Sequence, residues 1–116
     1  MQIQQLSVFI ENKPGRLAEI TEVLAEAEVD IRAISVADTS DFGILRVIVD
    51  RPKEAVIALK EHGMTVSLTN VLAVGISDEK GAFAKVIRVL ANAGIDVEYI
   101  YASVSYTHLT LPTIRL

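Results

Sequence analysis

The chain has 116 residues, room for one ordinary domain or two small ones, and 51% of them are hydrophobic, enough for a packed core. A net charge of −4 argues against nucleic acid as a partner, because that affinity comes mostly from Lys and Arg. The lack of cysteine excludes a disulfide framework, a CxxC redox pair and a thiolate metal site, and no segment approaches the ~18 apolar residues of a membrane helix, so a soluble, cytoplasmic protein with no membrane partner is expected.

Residues 3–11 read as a half-buried strand in which Leu6, Val8 and Ile10 alternate with polar neighbours. The segment Asn12-Lys13-Pro14-Gly15-Arg16-Leu17 turns that strand into a helix over 14–27, with Leu17, Ile20, Leu24 and Ala27 on its buried face and Glu19, Glu22 and Glu26 on its wet one. Pro14 suits a first helical turn, Gly15 allows close approach of another group, and the amides of that turn offer a positive dipole end to a carboxylate or phosphate. A second strand begins at Val29-Asp30-Ile31 and runs through Val36 to a turn at 38–41, and Phe42–Val49 forms the third. A second helix starts at Asp50-Arg51-Pro52, with Val56, Ile57 and Leu59 as its buried stripe and Gly63 as its C-cap, followed by a fourth strand over 65–68. The order β-α-β-β-α-β specifies an α+β, ferredoxin-like unit with both helices on one face of an antiparallel sheet.

The pattern then repeats at an offset of 66, the separation of Gly81 from Gly15. Leu72, Val74 and Ile76 fall on Leu6, Val8 and Ile10; Phe83, Val86, Leu90 and Ala93 fall on Leu17, Ile20, Leu24 and Ala27; Asp96 falls on Asp30. Keeping strand and helix periods together at one offset indicates an internal duplication. The second unit has a strand over 71–76, the loop Asp78-Glu79-Lys80-Gly81, a helix over 82–93 capped by Gly94 and a strand over 95–104. By the offset, 108–116 should match 42–50, yet Pro112 interrupts that strand, so the expected organisation is a complete unit over 1–69, a truncated βαβ unit over 70–104 and a tail over 105–116. The tail resembles translated sequencing-adapter sequence, and no function is assigned to it.

With this topology, the Asn-Lys-Pro-Gly-Arg-Leu loop and the Val29-Asp30-Ile31 strand start, the chain resembles the ACT domain family over roughly 3–104, in particular small proteins made of two ACT units. The resemblance implies a cytoplasmic regulatory module, a homodimer or a partner of an enzyme of amino-acid metabolism, that binds an amino acid or similar small carboxylate where two units meet, with no cofactor and no catalysis. Carried over by position, the implied site comprises Asn12, Gly15, Arg16 and Leu17, with Asp30 and Ile31 nearby, and in the second unit Asp78, Gly81, Ala82, Phe83, Asp96 and Val97. Backbone amides around Gly15 to Leu17 would take the ligand carboxylate, and Asn12 or a strand carbonyl its ammonium. The second loop departs from the pattern, since Lys80 replaces Pro14 and Asp78-Glu79 adds negative charge beside an anion site.

Other readings of the same residues stay open. Asn12 and Asp78 also fit helix N-caps, Arg16 a solvated first-turn residue, and Asp30 and Asp96 a turn between helix and strand. His62 at the end of the second helix suits the helix dipole; neither it nor His108 has a companion at metal-ligand spacing, so no metal is expected. Tyr99 and Tyr101 alternate on one strand face, for packing or for stacking on a ligand. Three rival functions are an acylphosphatase-like hydrolase using Arg16 and Asn12, RNA binding on the sheet, and a pure dimerisation module without ligand. The hydrolase lacks a nucleophile–base pair and RNA binding lacks exposed aromatic and basic strands.

Overall fold

The computed structural model describes residues 2–11, 13–38, 41–76, 79–95, 97, 100–104 and 109–114, with the backbone alone for 38, 100–104 and 109–114. Its elements in order are β1 (Gln2–Glu11), α1 (Arg16–Glu26), β2 (Ile31–Asp38), β3 (Phe42–Val49), α2 (Pro52–Glu61), β4 (Thr65–Gly75), α3 (Ala82–Asn92), β5 (Ile100–Val104) and β6 (Leu109–Ile114). They divide into two compact units, Gln4–Thr69 and Asn70–Leu116 with Met1–Ile3.

In the first unit the strand order is β2-β3-β1-β4, with β1 and β2 both antiparallel to β3. Alternation decides the faces: Leu6, Val8 and Ile10 of β1 and Leu45, Val47 and Val49 of β3 all point to one side and are buried. Against them lie Ile20, Val23 and Leu24 of α1 and Ala55 and Leu59 of α2, so both helices cover the same face and close a single core. The ferredoxin-like α+β arrangement expected from the element order is present.

Several local expectations change. Helix α1 begins at Arg16 rather than Pro14, because Gly15 holds φ 84° and a helical residue needs about −63°. Leu17, on the leading turn, is therefore ahead of the packed stretch and 43% exposed, while Val23 joins Ile20 and Leu24 in the buried stripe. On α2 the stripe runs through Ala55 and Leu59, one turn apart; Ile57, two residues from each, points to the far side and is 58% exposed. The two strands expected on either side of Thr69-Asn70 are one strand, β4, since neither residue supplies the Gly or Pro that would force a turn.

The second unit repeats the first more fully than its sequence suggests. Its strand order is β4-β6-β5, with β6 antiparallel to both neighbours. At the offset of 66, β6 falls on β3 and β5 on β2, so the third strand, expected to fail at Pro112, forms. The ladder tolerates the proline by slipping: Ala73 and Gly75 of β4 face Thr113 and Thr110, and Tyr101 and Ser103 of β5 face the same pair, leaving one extra residue of β6 beside Pro112. A bulge is where a residue without an N–H does least damage. Among the described residues this unit has one helix, and of the α3 face only Leu90 is buried, whereas Phe83 remains 44% exposed.

Candidate functional site

The three helices among the described residues end alike. In α1 the amide of Glu28 donates to the Ala25 carbonyl and that of Val29 to the Leu24 carbonyl; Gly63 and Met64 do the same to Lys60 and Leu59, and Gly94 and Ile95 to Ala91 and Leu90. This paired pattern, with the first donor at positive φ, satisfies the last carbonyls and turns the chain back towards the sheet. Gly63 and Gly94 thus terminate their helices as their sequence positions imply.

The starts of α1 and α3 are also copies. Gly15 and Gly81 are their N-cap residues, at φ 84°, ψ −8° and φ 80°, ψ −2°, and among the described residues neither helix start receives a side-chain cap. The Arg16 amide donates to the Lys13 carbonyl (3.3 Å) and the Glu19 amide to that of Gly15 (2.9 Å); 66 residues on, Ala82 donates to Glu79 (3.2 Å) and Lys85 to Gly81 (3.1 Å). One amide counted as free in the sequence, that of Arg16, is therefore used inside the loop. The amides of Leu17 and Ala18 in one loop, and of Phe83 and Ala84 in the other, donate to no acceptor among the described residues. A methyl added at Gly15 or Gly81 would meet nothing within 4 Å, so each glycine serves its backbone angle and leaves open space above the turn. Such a corner presents N–H groups and a positive dipole end to an acceptor.

The charged side chains around the first loop are occupied with one another. Lys13 Nζ lies 2.9 Å from Glu11 Oε2, and Arg16 reaches Glu19 Oε2 at 3.1 Å and Glu11 Oε2 at 3.9 Å. The hydrogen bond from Lys13, then its charge and that of Arg16, hold the Glu11 carboxyl below the usual carboxylate range. Glu11, Lys13 and Glu19 are not among the site residues implied by the sequence; the three-residue spacing of Arg16 and Glu19 on a helix start is the signal that places those two together. Arg16 is held by carboxylates, which counts against its use as a phosphate clamp.

Asp30 and Ile31 are not beside this loop within the first unit. Glu11 faces Phe42 at one end of β3 and Ile31 faces Val49 at the other, about 24 Å away at ~3.4 Å per residue. Asp30 instead clasps Asp50: its amide donates to Asp50 Oδ1 at 2.9 Å, and the Asp50 amide returns to the Asp30 carbonyl at 3.1 Å. Its own carboxylate lies 3.8 Å from Arg32. In the second unit Gly81, Ala82 and Phe83 share the head of α3, while Val97 follows the far end of that helix, about 16 Å along. Asn12, Asp78 and Asp96 lie outside the described residues, as do Tyr99 and His108. His62 contacts the Ala58 carbonyl through Nδ1 at 2.9 Å, and among the described residues no group of three His, Cys, Asp or Glu gathers as a metal site.

This architecture has known counterparts. The family model described as "ACT domain pair" matches residues 1–111. The chain belongs to the ACT domain pair family. A solved relative, protein BT0572 from Bacteroides thetaiotaomicron, is 41% identical and superposes with a TM-score of 0.92, over 99% of this chain and 79% of that one. The regulatory subunit of aspartate kinase from Thermus thermophilus, in its ligand-free form, shares the fold at TM-score 0.68 and 22% identity, over 96% of this chain and 80% of that one. The corresponding subunit from Thermus flavus does so at TM-score 0.67 and 19% identity, over 98% and 84%. No curated protein matches the sequence. Among the described residues no helix of this ACT chain is long and apolar enough to cross a membrane.

Proposed function

We propose that this ACT domain pair is a non-catalytic regulatory module that binds an amino acid or similar small carboxylate at the strand-to-helix corner of Gly15, with Gly81 marking the equivalent corner of the second unit. What supports the reading is the duplication of one helix start at the same offset in both units, with a left-handed glycine, no side-chain cap among the described residues and two amides without an acceptor there. A glycine N-cap brings no side-chain oxygen, so it leaves the first amides of the helix to another acceptor. The ligand carboxylate accepts from the amides of Leu17 and Ala18, and open space over Gly15 admits it. Regulation of an enzyme of amino-acid metabolism is the fitting context, since the fold is shared with regulatory subunits of aspartate kinase.

A thermal-denaturation screen of the protein against the amino acids tests this. A ligand at 100 times its dissociation constant adds about 2.7 kcal/mol of stability, roughly 10 °C or more in Tm for a chain of this size. No shift with any of them rejects the ligand-binding reading and leaves the pure dimerisation module.

A further inference from the structure

We draw no further inference here: the strongest candidate, the apolar surface that α3 exposes at Phe83 and Val89, carries nothing because nothing in the structure shows what covers it.

Discussion

Glu28 and Gly94 hold the same place in the two units, 66 residues apart, and both lie at positive φ, 59° and 74°. Each donates its amide three residues back, 3.0 Å to the Ala25 and Ala91 carbonyls respectively, as the helix before it ends. The left-handed angle is free for glycine and costs a side-chain-bearing residue about 1–2 kcal/mol. Part of that is offset because glycine leaves the unfolded chain more freedom. Glu28→Gly is therefore expected to stabilise the protein by about 0.5–1 kcal/mol, and urea denaturation measures it. An unchanged or lower midpoint would mean that the Glu28 side chain contributes more than its strain removes.

At Gly15 the same angle has a second consequence. Gly15→Ala meets no atom within 4 Å, so its cost to folding should be the angle alone, about 1–2 kcal/mol. If the space above the turn is where a carboxylate docks, the added methyl occupies it, and affinity for the amino acid found by thermal screening should fall further than stability does. Calorimetric titration at a temperature where the variant is fully folded separates the two effects.

Leu24 and Ile57 test the packing. Both are aliphatic helix residues, yet Leu24 has no exposed surface and Ile57 keeps 58% of it. Leu24→Ala is expected to cost about 2–5 kcal/mol through lost burial and the cavity left in the core, whereas Ile57→Ala should stay within about 0.5 kcal/mol. Chemical denaturation of both variants gives the comparison, and equal losses would contradict the placement of the α2 stripe.

The Glu11 carboxyl provides a pH signature. Lys13 and Arg16 favour its ionised form in the folded state, so its folded pKa lies below the unfolded one. The stabilisation is present above the unfolded value and disappears as pH falls through the folded value. A carbon-detected NMR titration should place the Glu11 midpoint below that of an ordinary glutamate, and Lys13→Met should move it back up.

Much of this molecule was legible because period and offset are dense signals. Leu6, Val8 and Ile10 alternate cleanly, Ile20 and Leu24 keep the helical spacing, and Gly15 and Gly81 fix the offset that the backbone then repeats. What sequence could not settle depended on tertiary position. Ile57 reads as core by composition and is turned away by the phase of α2, which Ala55, too small to draw notice, determines. Pro112 argues against a strand on local grounds, yet β4 and β5 on either side hold β6 in place through an irregular register. The strand register puts Asp30 and Gly15 at opposite ends of the first unit, whereas the family resemblance groups them where two units meet, a grouping that no single-unit register addresses.

The pairing of Lys13 and Arg16 with Glu11 and Glu19 leaves the first loop with as many negative as positive side chains. Such a surface exerts little pull on an ion beyond the Debye length, about 8 Å at physiological ionic strength. Its side chains therefore add no net charge to the pull of the helix dipole, and if a carboxylate docks at Gly15 as proposed, they favour a zwitterion, whose two ends are read only at contact. Added salt should then change the occupancy of such a zwitterion little, and a doubly charged anion such as phosphate would gain nothing further from these side chains.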